Sequence, residues 1–127
     1  MRLLLDTSTL LWWLDDDKKL GAAARAAIAD PENEVFVSAA SAWEISVKRA
    51  SRKLDAPFDI ASALARNHFA ELPIEVAHAV AAGELPPHHR DPFDRMLVAQ
   101  AQIDDLAIVA DDAEIAKYDV TLLDART

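Results

Sequence analysis

The sequence contains no cysteine among its 127 residues. Disulfides, thiolate metal sites and cysteine nucleophiles are therefore excluded, and this composition fits a reducing compartment. The chain also has only 2 glycines, whereas the loops that cradle nucleotide phosphates need several glycines close together. Thiol catalysis is thus excluded, and glycine-rich phosphate binding nearly so, before any motif is considered.

Long apolar runs are also missing. The apolar segment at the N-terminus stops at Asp6, unlike a signal peptide, and no stretch approaches the about 18 residues of a membrane span. With 52% hydrophobic and 28% charged residues, a chain of this length is typical of one globular domain, here residues 1–127. We therefore expect a single cytoplasmic domain with no membrane association.

Positive charge is scarce in the chain. The formal net charge is −9, from 13 basic and 22 acidic side chains. This balance argues against a nucleic-acid-binding protein, in which a basic surface is expected. The objection weakens if several of the acids hold divalent cations, because each bound ion offsets two negative charges.

Segments typical of strands and helices alternate along the chain. Such alternation predicts an α/β fold, with a central, mostly parallel five-stranded sheet and helices on both faces. In folds of this kind ligands bind beyond the carboxyl ends of the strands. The predicted strands are residues 2–5, 34–38, 69–74, 106–110 and 120–123. The predicted helices are residues 7–14 and 22–29, one from Ser38 or Ser41 to 51, one from about 59, then 76–82, 92–103 and a short one after Asp112.

Acidic residues occur where this fold brings chain segments together. Asp6 directly follows the first strand, and Asp111 and Asp112 follow the fourth, while Glu44 and Asp94 lie near the starts of two helices. Ionised carboxylates that are packed together repel one another and need a cation. Hard oxygen ligands of this kind suit Mg²⁺ or Mn²⁺, and two such ions can promote hydrolysis of a phosphodiester.

Three of these acids have an alternative interpretation as helix caps. Glu44 follows Ser41 at the spacing of a capping box, and Asp94 follows Asp91 at the same spacing. Asp112 fits an N-cap. The spacing alone therefore predicts an acidic site and leaves the metal open.

Four segments of the sequence identify a protein family more specifically together than any one of them does alone. Together and in this order they resemble the PIN-domain ribonucleases, specifically the VapC-type toxins of type II toxin–antitoxin modules. The likeness covers essentially the whole chain. The segments are LLLDTSTLLWWL (residues 3–14), VSAASAWEI (37–45), LPPHHRDPFDRMLVAQA (85–101) and LAIVADD (106–112).

The resemblance implies a three-layer α/β/α sandwich, dependence on Mg²⁺ or Mn²⁺, and cleavage of RNA. It also implies two protein partners, an antitoxin of the VapB type and a second copy of the chain in a homodimer. The catalytic and metal-binding acids it implies are Asp6, Glu44, Asp94 and Asp112, with Asp111 as an alternative to the last.

The resemblance further assigns Thr7 and Ser38 as hydroxyls that line the pocket. Two positions depart from the family pattern, because Ser8 stands where relatives often have His and Ala110 where they often have Thr. Neither position supplies a required ligand, so the departures bear on substrate choice. Arg95 has two readings, a contact with the scissile phosphate or an ion pair with Asp91 four residues earlier.

Other polar residues near these segments have two interpretations each. His88 and His89 precede the acidic helix, where a loop pair can bind metal or phosphate but is more commonly solvated. The basic cluster Lys48, Arg49, Arg52 and Lys53 either guides RNA through phosphate contacts or forms a solvated helix end.

Two functions from different classes fit the sequence. The first is a metal-dependent endoribonuclease that acts as the toxin of a toxin–antitoxin pair. The alternative is a non-catalytic module whose acidic pocket grips a basic partner peptide, which the net charge of −9 favours. A phosphatase or DNA nuclease with the same metal chemistry is a third reading.

Overall fold

The structure is a computed structural model that describes all 127 residues. Five strands are present: β1 (Arg2–Leu5), β2 (Glu34–Ser38), β3 (Ala70–Leu72), β4 (Ala107–Ala110) and β5 (Thr121–Asp124). The α-helices are α1 (Thr7–Leu14), α2 (Ala22–Ala29), α3 (Ala39–Ala50), α4 (Ile60–Arg66), α5 (Val76–Glu84) and α6 (Pro92–Asp104). A short 3₁₀ turn covers Ile115–Lys117 between β4 and β5.

All five strands form one parallel sheet in the order β3-β2-β1-β4-β5. The chain builds outward from β1 through β2 to β3, and then crosses to the other side of β1 to add β4 and β5. The strand order therefore reverses between β1 and β4. A crevice is expected at such a switch point, beyond the carboxyl ends of these two strands.

The sheet is covered on both faces because alternate residues of each strand point to opposite sides. Leu3 and Leu5 of β1 join a core with residues of α1, α2 and α4, whereas Leu4 joins a second core with residues of α6. All three leucines are fully buried. The predicted three-layer α/β/α fold is confirmed, and the sheet is wholly parallel.

The third strand is shorter than predicted, since it covers Ala70–Leu72 rather than residues 69–74. Pro73 has no N–H to continue the ladder, and the N–H of Phe69 is used by the carbonyl of Leu64 at the end of α4. The longest helix, α6, has 13 residues, and no helix has the length and hydropathy needed to cross a membrane.

Candidate active site

The chain brings Asp6 and Asp112 to the switch point between β1 and β4. Leu5 pairs with Val109 in the register of the two strands, and the backbone N–H of Asp6 donates to the carbonyl of Val109 at 3.1 Å. Thr9 links α1 to β4, because its hydroxyl donates to the same carbonyl at 2.9 Å. Both acids thus emerge on one edge of the sheet from neighbouring strands.

Asp6 also caps the helix that follows it. Its Oδ1 accepts a hydrogen bond from the backbone N–H of Thr9 at 2.8 Å, as an N-cap residue does. The side chain is nevertheless buried, which the sequence did not require of a cap. Burial raises the pKa of Asp6 to about 6, opposed by the Thr9 hydrogen bond and reinforced by the negative charges of Asp112 and Glu44.

The neighbouring acids Asp111 and Asp112 point in different directions. Asp112 is half-buried, and its Oδ1 accepts from the backbone N–H groups of Glu114 and Ile115, so it caps the turn that leads into the 3₁₀ helix, whose N-cap position is Glu114. Its other oxygen faces the cluster. Asp111 is exposed and lies 3.9 Å from Arg126. The geometry therefore assigns the position in the cluster to Asp112.

His89 lies between two of the acids, Asp94 and Asp112. Its Nε2 lies 2.9 Å from Oδ2 of Asp112 and 3.2 Å from Oδ2 of Asp94. The backbone N–H of Asp91 donates to its Nδ1, so in the neutral ring the hydrogen is on Nε2. Burial lowers the pKa of His89, but the hydrogen bond and the charges of Asp112 and Asp94 outweigh it and raise the pKa above 6.5.

Asp94 lies in the first turn of α6 and is held in a more strongly perturbed state than Asp6. Burial raises its pKa to about 7, and the charges of Asp91, Asp6 and Asp112 add to the shift while His89 opposes it. The predicted capping box does not form, because the N-cap Asp91 accepts from the N–H groups of Phe93 and Asp94 while its own N–H bonds to His89. The Asp94 side chain is therefore directed to the acidic cluster.

Glu44 is buried on α3 and has both carboxylate oxygens engaged. Oε1 accepts from the hydroxyl of Thr7 at 2.6 Å, and Oε2 accepts from the ammonium of Lys48 at 2.5 Å. The capping-box interpretation of Glu44 is wrong, because α3 begins at Ala39 with Ser38 as its N-cap. Glu44 therefore reaches across to α1 rather than back to its own helix terminus.

The two predicted pocket hydroxyls have different environments. Thr7 contacts Glu44 as described, whereas the hydroxyl oxygen of Ser38 accepts from the N–H of Ala40 at 2.9 Å and caps α3. Both are buried. Ser38 is the last residue of β2, so it lies on the same edge of the sheet as Asp6.

Arg95 anchors the loop that carries His89. Its guanidinium donates to the carbonyls of Ala82, Leu85, Pro86 and His89 at 2.9, 3.0, 3.1 and 3.2 Å. None of these contacts is with Asp91, so the predicted ion pair at four-residue spacing is wrong. A contact between Arg95 and a scissile phosphate stays a prediction, and the structure assigns the side chain a positioning role.

The donor set fits a divalent cation. A carboxylate oxygen of Asp94, one of Asp112 and Nε2 of His89 lie within 4.8 Å of one another, so a single ion can bind both carboxylates if it displaces the hydrogen-bearing Nε2 of His89. The pKa values of Asp6 and Asp94 are raised first by burial and further by the neighbouring acids, so the ionised carboxylates are unfavourable there without a counter-ion. Carboxylate oxygens suit Mg²⁺ or Mn²⁺.

Sequence reasoning underestimated two members of the site. His89 was given mainly a solvated reading, because nothing in the local sequence reveals that its loop folds back onto Asp112. Lys48 was grouped with a basic helix end, although its position four residues after Glu44 is the spacing of a helical ion pair. That spacing was the available signal.

The fold and this edge define a class of parallel α/β proteins with carboxylates gathered at the strand ends. The chain belongs to the PIN domain family, whose model matches residues 3–120. No curated protein matches the sequence significantly.

Two solved structures share the fold at low sequence identity. One is VapBC2 from Rickettsia felis bound to a DNA fragment from its promoter, with 13% identity, a TM-score of 0.70, and 97% of this chain and 98% of that chain covered. Another is DNA-bound VapBC from Salmonella typhimurium, with 16% identity, a TM-score of 0.66 and 97% of both chains covered.

Proposed function

We propose that the protein is a Mg²⁺- or Mn²⁺-dependent endoribonuclease that acts as the toxin of a toxin–antitoxin pair. The observation that carries the proposal is the gathering of Asp6, Asp94 and Asp112 at the switch point of the sheet, where two of the three have strongly raised pKa values. Perturbed carboxylates in a crevice are typical of functional sites. Membership of the PIN domain family supports a nuclease.

Asp94, Asp112 and Asp6 are the residues suited to hold the ion. A divalent ion there would supply Lewis-acid activation of water and stabilisation of the charge on the leaving oxygen. The chain has no cysteine, and a nucleophilic side chain is not required when water attacks. Substrate choice then depends on the loops around the edge.

Glu44 has a different role from the other three acids. Because both its oxygens are already bound, by Thr7 and Lys48, Glu44 holds α3 against α1 and fixes negative charge behind Asp6. Binding of an ion by Glu44 would require release of Lys48. We therefore assign it a positioning role in the first instance.

The proposed partners rest on the structural neighbours and on the exposed surface. Both neighbours are VapBC assemblies, which supports a VapB-like antitoxin as partner. A homodimer is supported by large apolar side chains left exposed on α3 and α5. These are Trp43, Val47, Val76 and Val80. Light scattering of the purified chain tests the dimer, with Val76→Glu expected to shift it toward monomer and a monomeric wild type contradicting it.

Cleavage of RNA by the purified, antitoxin-free chain tests the enzyme directly. RNAs of several classes are incubated with Mn²⁺ or with a chelator, beside the Asp6→Asn variant. Asparagine is also a good N-cap, so this variant keeps the cap of α1 and removes the charge. Cleavage that needs Mn²⁺ and is lost in the variant is expected.

The binding-module alternative is favoured by the net charge of −9. It predicts a folded chain that cleaves no RNA and binds an arginine-rich peptide without metal. The enzyme predicts instead that expression of the chain alone arrests bacterial growth and that Asp6→Asn relieves the arrest.

A further inference from the structure

Lys48 is a positively charged side chain near the acidic cluster that has no role in the reaction proposed above. Lys48 lies one turn beyond Glu44 on α3, and its Nζ is 2.5 Å from Oε2 of Glu44. An ordinary ion pair at this spacing joins two solvated groups and contributes little. Here the Glu44 side chain is only 8% exposed, whereas that of Lys48 is 45% exposed.

Because Glu44 is buried and Lys48 is exposed, the Lys48 ammonium is bound by Glu44 on one side and open to solvent on the others. A lysine ammonium carries three N–H donors, and the structure uses one of them on Glu44. The remaining donors face solvent at the end of a side chain whose position is fixed by a buried carboxylate.

The ammonium lies close to the acidic edge. The Glu44 carboxylate that binds it also accepts from the hydroxyl of Thr7, the residue that follows Asp6. The helix α3 packs against α6, whose N-terminal end carries Asp91 and Asp94. Lys48 therefore lies beside the crevice.

Arg95 and Arg49 do not offer free hydrogen-bond donors in the way that Lys48 does. The guanidinium of Arg95 donates to backbone carbonyls of α5 and of the loop after it, and that of Arg49 donates to the carbonyls of Ala56 and Phe58. A polyanion approaching a cluster of carboxylates needs a fixed positive charge nearby. Lys48 is placed to supply it.

We propose that Lys48 binds a non-bridging phosphate oxygen of the RNA substrate, held in position by Glu44. This inference rests on the proposed ribonuclease function and names the side chain that grips the substrate backbone. A phosphate contact positions the strand and carries no sequence information. Lys48 would therefore contribute to affinity equally for all RNA sequences.

The test measures RNA binding as a function of salt. Lys48→Gln and Lys48→Arg are made in the Asp6→Asn background, so that a labelled single-stranded RNA stays intact, and binding is followed by fluorescence anisotropy. Glutamine keeps an N–H that can bond to Glu44 but removes the charge. Lys19→Gln is the matched control, because Lys19 is exposed after α1, which runs away from the acidic edge.

Lys48→Gln is expected to weaken binding about tenfold, the lower end of the effect of one charge-assisted hydrogen bond. It should reduce the slope of log affinity against log salt by about 0.7. Lys48→Arg should restore both, and Lys19→Gln should change neither.

Two results would overturn the inference. The first leaves the proposed ribonuclease function standing, and the second contradicts it as well. If Lys48→Gln binds RNA with unchanged affinity and slope while its melting temperature falls, Lys48 serves only as the counter-ion of Glu44, and the ribonuclease proposal stands. If the Asp6→Asn protein binds no RNA and the wild type cleaves none, the proposed function fails together with the inference.

Discussion

The Nε2 of His89 lies 2.9 Å from Oδ2 of Asp112 and donates to it across the edge of the sheet when the ring is neutral. The same nitrogen is 3.2 Å from Asp94. The imidazole thus bridges two carboxylates in the space where a shared cation would lie. Binding of an ion by both acids requires the ring to move away.

Replacement of His89 by alanine should therefore tighten Mn²⁺ binding. Removing a competing hydrogen-bond donor is expected to increase the affinity about fivefold, measured by isothermal titration calorimetry. His88→Ala is the control, because His88 is exposed and packs edge-on against Tyr118. A weaker affinity in His89→Ala would instead identify His89 as a ligand.

Thr7→Val should destabilise the protein through Glu44. The substitution conserves shape but removes the donor that lies 2.6 Å from Oε1 of a buried carboxylate. The expected cost is about 2 kcal/mol in the free energy of unfolding, measured by urea denaturation. Thr121→Val, at an exposed position of β5, should stay within about 0.5 kcal/mol of wild type. Equal effects of the two variants would contradict the contact.

Arg95→Ala should loosen the loop that carries His89. Loss of a guanidinium that donates to three loop carbonyls and to that of Ala82 in α5 is expected to cost about 3 kcal/mol. Hydrogen exchange of residues 85–91 should accelerate, as measured by mass spectrometry. Arg90→Ala serves as control, since Arg90 is exposed. If Arg95→Ala leaves stability and exchange unchanged but abolishes RNA cleavage, the phosphate contact is favoured over anchoring.

The stability of the metal-free protein should fall as the pH rises. The pKa values of Asp6 and Asp94 are raised from 3.8 to about 6 and about 7, so the folded state binds more protons than the unfolded state between these limits. Their stabilising contribution is complete below about pH 4 and is lost as the pH passes through the two folded values.

The expected loss in the free energy of unfolding is roughly 5 kcal/mol between about pH 4.5 and 7.5. It is measured by urea denaturation in the presence of a chelator. Mn²⁺ should reduce the loss, because it binds the ionised carboxylates. Asp6→Asn should show a smaller loss than wild type. Stability that increases over this interval would contradict the assignment of the two raised pKa values.

The sequence predicted the fold well because its pattern is local. The run Leu3–Leu5 and the alternation of strands with helices report directly on burial and period, and the carboxyl-edge rule then placed Asp6 and Asp112 together. The strand order supplied the rest, because the reversal between β1 and β4 brings the two acids onto adjacent strands.

The details of the site depend on long-range contacts that no local pattern contains. The capping-box spacing of Ser41 and Glu44 was misleading, because α3 begins three residues earlier than that box requires. His89 contacts Asp112, which lies 23 residues later in the sequence. Arg95 donates its hydrogen bonds to carbonyls of the preceding loop. Such contacts are set by how the loop closes, which depends on packing rather than on propensity.

The adjacent acids Asp111 and Asp112 allow the central claim to be tested with a matched pair. Asp112→Asn and Asp111→Asn remove the same charge one residue apart, and asparagine preserves the cap that Asp112 makes. The measurement is the rate of Mn²⁺-dependent RNA cleavage by each purified variant. Loss of about a hundredfold or more in Asp112→Asn, with Asp111→Asn close to wild type, is the predicted result. Equal rates in the two variants, or no metal-dependent cleavage by the wild type, would contradict the proposed ribonuclease site.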